Sequence, residues 1–328
     1  MWPAVSREDH GHSPNGTANV SAFLSRFDKL VWALKTNQCD RLAAVEEFAR
    51  CLGQERALHP DQWPAFLQSC REHELHSFFL QDPFTSRAYF KPRGYAGDAV
   101  MLDFVYGHQD ARDRVTRSPE IGQCILAYTG GGSSAARAVR WRCARAVQEI
   151  ESVAAKHSNA RVLAIACGHL REIELVHPEL RRRIHVTAAD IDDESLKTVE
   201  NAYASECALE CRRMSVRDLI SSQHGLEQRF DLIYALGLFD YLTDRVAERL
   251  VPTLWSLVAP RGRLMLANFT PEADDVGYLE AITDWWLQYR SKEALQAWIG
   301  LLEDQTIASR ESFNDPFGQV AYLCLVKH

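Results

Sequence analysis

The sequence predicts an α/β protein: a helical N-terminal region followed by a doubly wound, mostly parallel sheet. Three observations carry this reading. Apolar residues in the first third of the chain recur at helical spacing. From Arg161 onward, short apolar runs alternate with helical stretches, which implies a parallel sheet. The stretch "RVLAIACGHLREIEL", residues 161–175, stops an apolar run at Cys167-Gly168 and continues as a charged, periodic segment, as a strand does when it hands over to a helix beside a ligand.

The 328 residues, 46% hydrophobic, suffice to bury a large core in one domain or two. Net charge is −7, and no Lys/Arg block interleaves with aromatics, so nucleic acid is not an expected partner. No 18 consecutive residues are apolar, so no membrane span is expected. The polar start, "MWPAVSREDHGHSPNGTANV", lacks an apolar signal core and reads as a frayed tail over residues 1–20. The nine cysteines sit mostly in apolar segments. Cys39, Cys51, Cys70, Cys124 and Cys143 read as small hydrophobes in helices. Cys207 and Cys211 have no neighbouring His or Cys in sequence, so no metal is expected there. Reduced thiols suit a cytoplasmic location. The Asn-x-Ser/Thr triplets at Asn15, Asn19 and Asn268 read as chance. A homodimer is compatible with the composition.

The elements follow in order. Phe23, Phe27, Leu30, Val31 and Leu34 mark a first helix. Leu42, Val45, Phe48 and Leu52 mark a second, and Trp63, Phe66, Leu67 and Cys70 a third. Residues 81–107 read as less regular, broken by Pro83, Pro92, Gly94 and Gly97, with Asp98 capping a short helix through Tyr106. Another helix spans Pro119–Tyr128. "GGGSS", residues 130–134, reads as a flexible joint whose serines cap a long helix from Ala135 to about Lys156. The expected domains are the tail 1–20, a helical lid and acceptor-binding region 21–132, and a sheet domain 133–328. Strands are expected at Val162–Ala166, His185–Ala189, Glu210–Ser215, Phe230–Ala235 and Arg263–Phe269, with helices at Asp193–Ala204 and Arg245–Val258. "QVAYLCLVKH" pairs with Gln305–Ser309 as an antiparallel sheet edge.

Four features fall at strand carboxyl ends, where such sheets bind ligands. Cys167-Gly168 ends the first strand, and Gly168 can take a positive φ and bring backbone close to a ligand. Asp190 ends the second strand, 22 residues on, where a carboxylate can accept from both hydroxyls of a ribose, or cap the next helix. "SVRDLI", residues 215–220, follows the third strand, and Asp218 can accept from an exocyclic amine such as adenine N6, or serve as a loop acid. "ALGLFDYL", residues 235–242, follows the fourth. A pyrophosphate needs a run of backbone N–H groups, usually from three glycines. One glycine, with Glu172 entering the helix, suits a phosphate-free zwitterionic nucleoside: S-adenosylmethionine. Glu172 can equally be a solvated acid at a helix start.

These residues resemble a known family. Their order is similar to class I S-adenosylmethionine-dependent methyltransferases, which have a Rossmann-like seven-stranded sheet with an antiparallel last strand. More narrowly, "KPRGYAGDAVMLDFVYG", "ACGHLREIEL", "SVRDL" and "FDLIYALGLFDYLTDRVAERLV" resemble the bacterial methyltransferases of 3-hydroxypalmitate methyl ester biosynthesis, a cell-density signal, over about residues 75–328. The resemblance implies S-adenosylmethionine as cofactor, with S-adenosylhomocysteine as product, held by Cys167 and Gly168 in the loop, Asp190 at the ribose and Asp218 at adenine. Ala166, Ile191, Arg217 and Leu219 would line the same groove, and Ala235, Leu236 and Gly237 its floor. The general class has more glycines in the first loop than "ACGHLRE", and the methionine carboxylate is left unassigned.

The implied chemistry is in-line methyl transfer to a small-molecule acceptor. An ionised carboxylate acceptor needs orienting donors but no base; a phenol or amine needs a base. Arg93 and Tyr95 are the expected orienting residues, beside Lys91 and Asp98, with Asp240 and Tyr241 also near the acceptor. Asp98 can instead be only a helix cap. Arg140 and Arg142 are second candidates, otherwise a solvated helix face. His76, His108 and His169 are candidate bases, each otherwise a surface or satisfied core residue. Phe78, Phe79, Phe84 and Phe90 suit a fatty chain or plain core. The expected function is methylation of a 3-hydroxy fatty acid carboxylate. The alternatives are O-, N- or C-methylation of a specialised metabolite, a non-catalytic S-adenosylmethionine-binding regulatory module and, more remotely, a nicotinamide oxidoreductase.

Overall fold

The computed structural model describes residues 17–36, 40–221, 224–226 and 229–328, with side chains from Ser25 onward. Most of the expected tail, with Asn15, and Cys39 lie outside the described residues. The chain divides into two compact units: Met1–Arg137 with Asp274–Trp286, and Ala138–Ala273 with Leu287–His328.

The first unit is helical. Its helices are Thr17–Thr36, Arg41–Leu58, Trp63–Glu72, Glu74–Phe79, Pro83–Phe90, Ala99–Tyr106, Gln109–Arg117, Glu120–Leu126 and Val276–Thr283, together with the start of Ser134–Lys156. From Phe27 onward, the stripes read from sequence meet in one core. Phe27 packs edge-on against Phe48 and Phe66, with ring centroids 4.8 and 6.2 Å away. Phe79 belongs to this core, Phe84 is also buried, and Phe90 is exposed.

Three local features differ from the sequence reading. Pro83 starts a helix rather than breaking one. The Asp82 carboxylate accepts the N–H groups of Phe84 and Thr85, each at 3.0 Å, and proline at the first turn forfeits no bond. The glycine run winds into a π-helical turn, Ala127–Gly132, closed by Ser133 N–H donating to the Tyr128 carbonyl at 2.9 Å. Ser133 Oγ then caps the long helix through Ala136 N–H, at 3.0 Å. Finally, Val276–Thr283 packs within the helical unit, although its sequence lies beyond the fifth strand. Its Glu280, 2% exposed, accepts from Trp63 Nε1 at 2.7 Å and Arg56 Nε at 2.8 Å. Gly277 permits the approach, since a Cβ there would sit 2.5 Å from the Leu52 carbonyl carbon.

The second unit is a seven-stranded sheet: β1 Ala160–Ile165, β2 Ile184–Asp190, β3 Ala208–Arg213, β4 Phe230–Ala235, β5 Val258–Phe269, β6 Ile307–Asn314 and β7 Val320–Lys327. The order is β3-β2-β1-β4-β5-β7-β6. β1 to β5 run parallel; β7 lies antiparallel between β5 and β6. The chain winds outward through β2 and β3, then returns to β4 on the other side of β1. The crevice between β1 and β4 is therefore the topological switch point. Helix Asp193–Tyr203 packs on β2 and β3, and Asp244–Leu257 on β5. This is the Rossmann-like architecture the sequence led to expect.

Candidate active site

The turn after β1 is built from left-handed backbone. Ala166, Gly168 and Leu170 have φ of 51°, 54° and 53°. Three alternate positions thus adopt the conformation that favours glycine, yet two carry side chains. An L-residue held there costs roughly 1–2 kcal/mol. The sequence shows one glycine; the structure shows a turn with three left-handed positions. Leu170 compensates by burying its side chain, while Ala166 is exposed.

Asp190 closes this turn. Its carboxylate accepts Gly168 N–H at 2.8 Å on Oδ2 and Asp192 N–H at 2.9 Å on Oδ1. The cap of the next helix is Asp192, which accepts from Glu194 N–H at 3.1 Å, so Asp190 is not spent on capping. Burial pushes the Asp190 carboxyl up, and the two N–H donors pull it back. Its backbone carbonyl accepts Met214 N–H at 2.8 Å, tying the end of β3 to that of β2. Ile191 follows, partly buried. Cys167 stays a neutral thiol, because burial, then Asp190 and Glu172, push it up.

Beyond β3, Ser215 and Asp218 form a reciprocal cap on Val216–Ile220. Asp218 Oδ2 accepts from Ser215 N–H at 2.9 Å and Oγ at 2.6 Å. Asp218 and Arg217 are exposed, while Leu219 is buried in packing. The loop-acid reading of Asp218 thus has a concrete form, and Oδ1 remains for a ligand.

The segment after β4 rests on Arg142, which is 7% exposed and not on a solvated helix face. Its Nη1 donates to the Leu236 carbonyl. A Cβ on Gly237 would lie 3.6 Å from Nη2. Ala235 is fully buried. Asp240 is 2% exposed, accepts Phe269 N–H at 2.7 Å, and has Oδ2 4.0 Å from Arg142 Nη1. It braces the ends of β4 and β5 from inside, a different position from the acceptor contact expected of it; Tyr241 is partly exposed. Burial pushes Asp240 up to about 6, against the pull of Arg142.

One residue escaped the sequence reading as a site member. Tyr234, the last residue but one of β4, donates its Oη to Glu172 Oε1 at 2.6 Å. Glu172 is therefore no merely solvated acid. Arg142 carried a legible signal. It occupies the series Ala138, Arg142, Ala146, Ile150, Ala154, every other member of which is fully buried.

Arg93 and Tyr95 lie in the first unit, on the loop between Pro83–Phe90 and Ala99–Tyr106, both partly buried. Their neighbours have structural roles. Lys91 Nζ pairs with Asp284 Oδ2 at 3.0 Å, and Asp98 caps Ala99–Tyr106 while accepting from Arg87 Nε at 2.7 Å. His76 Nε2 bonds the Ile282 carbonyl at 2.9 Å, and burial lowers its affinity for a proton. His108 Nδ1 accepts Asp110 N–H at 3.2 Å. His169 is buried, with Nδ1 3.4 Å from Arg171 Nη2. Asp103, His108 and Asp110 bring possible ligand atoms within 4.8 Å of one another, and His108 Nδ1 also caps the helix Gln109–Arg117.

Residues 163–264 match a family described as "Methyltransferase domain". This stretch is a methyltransferase domain. It runs from within β1 to within β5 and contains the loop, Asp190, Asp218 and the β4 segment. No curated protein matches the chain. A Bordetella parapertussis structure described as a possible exported protein shares its fold, with 14% identity, TM-score 0.55, and 97% of this chain and 99% of that one covered. So does a Thermobifida fusca protein provisionally named a methyltransferase, with 16% identity, TM-score 0.51, and 70% and 94% covered. The matched domain makes the chain a methyltransferase enzyme. Among the described residues, no helix is long and apolar enough to cross a membrane.

Proposed function

We propose that the chain methylates the carboxylate of a small molecule, a 3-hydroxy fatty acid, to give a methyl ester. The observation that supports it most is the left-handed turn 166–170 bonded to Asp190 beside the β1–β4 crevice. The turn brings backbone to the strand ends without a run of phosphate-facing glycines. Gly168 and Cys167 hold the donor, Ala166, Ile191, Arg217 and Leu219 flank it, and Ala235 to Gly237 lie beneath it. Asp190 accepts from the ribose hydroxyls and Asp218 Oδ1 from the adenine amine.

When bound, S-adenosylmethionine supplies a methyl group already activated as an electrophile. The protein's share is alignment of acceptor, methyl and sulfur, and exclusion of water, worth several kcal/mol through proximity alone. Arg93 and Tyr95 orient the acceptor by charge and hydrogen bond without removing a proton. A carboxylate acceptor is favoured because two candidate bases are engaged elsewhere: His76 on the Ile282 carbonyl and His108 on a helix cap. The free thiols among the described residues, half of them buried and half partly buried, accord with a cytoplasmic setting.

Titration calorimetry with S-adenosylmethionine and with NAD, followed by a screen of 3-hydroxy acids for gain of one methyl, tests this reading. A base-labile methyl ester supports it. A stable ether or N-methyl product replaces the acceptor with a specialised metabolite, and binding without turnover on any acceptor leaves a regulatory module.

A further inference from the structure

The expected donor is a zwitterion, and its amino-acid end requires a carboxylate partner for the ammonium group. Among the acids around the strand ends, four bear on this question. Asp190 has both oxygens on backbone N–H groups, and its ribose role is already stated. Asp240 is 2% exposed and holds Phe269 N–H. Glu174 Oε1 takes Arg171 Nη1 at 3.1 Å and Tyr203 Oη at 2.5 Å, so a cation already balances it. Glu172 is different. Its side-chain donor is a neutral phenol, Tyr234 Oη, at 2.6 Å.

The position is informative. Glu172 follows the turn that ends β1 by two residues, and Tyr234 precedes the end of β4 by one. Tyr234 pairs in register with Ala164, so the Glu172–Tyr234 bond spans the strands that flank the switch crevice. The residue keeps part of its surface open while burial raises its proton affinity. The Arg142 charge acts on Glu172 from further off than an ion pair, and a desolvated carboxylate whose side-chain hydrogen bond comes from a neutral phenol still gains from an added cation.

We propose that Glu172, its carboxylate fixed by Tyr234 Oη at the β1–β4 crevice, binds the α-ammonium group of the methyl donor. Tyr234 is the positioning residue: it holds Oε1 and leaves Oε2 to the ligand. This assignment rests on the S-adenosylmethionine reading above and adds the recognition of its amino-acid end.

Calorimetry on the full chain tests it with three probes: S-adenosylhomocysteine, its deaminated analogue, and 5′-methylthioadenosine, which lacks the amino-acid part. Glu172→Gln should weaken S-adenosylhomocysteine at least tenfold and leave 5′-methylthioadenosine within twofold. Tyr234→Phe should give a smaller loss of the same kind. On the unmodified protein, the deaminated analogue should bind at least tenfold more weakly than S-adenosylhomocysteine, a comparison independent of how the variants fold. Equal affinity for those two ligands, or a Glu172→Gln loss shared by 5′-methylthioadenosine, overturns the assignment while the donor reading stands. An unmodified protein that binds none of the three overturns both.

Discussion

The backbone N–H of Gly168 donates to Asp190 Oδ2 across 2.8 Å, joining the turn after β1 to the last residue of β2. One carboxylate thus holds the loop in shape. In the proposed ribose role the same oxygens would serve both duties.

Asp190→Ala should therefore weaken S-adenosylmethionine binding by about an order of magnitude or more, through loss of charge-assisted hydrogen bonds. Calorimetry reads this directly. Unchanged affinity would remove Asp190 from the ribose role and leave it as a loop brace.

The left-handed backbone at Ala166 reverses the usual effect of glycine. Inside a strand, Ala→Gly costs about 0.5–1 kcal/mol. Ala166→Gly should instead be neutral or stabilising by up to about 1 kcal/mol, because strain at φ 51° is relieved. Ala164→Gly, in the buried interior of β1, is the control and should destabilise. Urea midpoints compare them, and a drop of equal size in both would contradict the strain argument.

Asp218 has two candidate duties that separate cleanly. Ser215→Ala breaks the cap and should cost about 1 kcal/mol of stability. Asp218→Ala breaks the cap and also removes the adenine acceptor. If Asp218 reads adenine, only its own variant weakens adenosine binding by severalfold; equal affinities for the two variants would assign it to capping alone.

Stability should respond to pH through Asp240. Burial pushes its carboxyl from 3.8 to about 6. Between those values the folded protein keeps a proton that the unfolded chain has lost. Stability therefore falls as pH rises from about 4 through about 6, then levels off. Asp82, also buried and pushed up to about 6, adds the same trend. Asp240→Asn should flatten part of the slope in thermal melts, and a profile superimposable on the parent's would assign the slope elsewhere.

Arg93→Ala should reduce turnover at least tenfold with the methyl acceptor while leaving the melting temperature nearly unchanged, since Arg93 lies on a loop outside the aromatic core of its unit. Normal kinetics with that acceptor would discard its orienting role.

Much of the architecture was legible because it follows from periodicity. The β4 limits, Phe230–Ala235, agree with the apolar run, and the β6–β7 edge follows from the C-terminal β-rich stretch. The helix Pro83–Phe90 was missed because proline marks both breaks and first turns, and only the Asp82 cap distinguishes them here. Val276–Thr283 was placed with the sheet because nothing local records that Glu280 finds Trp63 and Arg56 more than 200 positions earlier.

By itself, the sequence determined the strand–helix alternation and the order of acids along the strand ends, since apolar spacing and residue type are local properties. Tertiary structure alone decided that Ala166 and Leu170 share the left-handed turn with Gly168, that Arg142 turns inward beneath Leu236, and that Glu172 meets Tyr234. The physical reason is that backbone strain, desolvation and hydrogen-bond partners depend on which distant segments pack together, and β1 and β4 become neighbours only after the chain has wound out through β2 and β3 and returned.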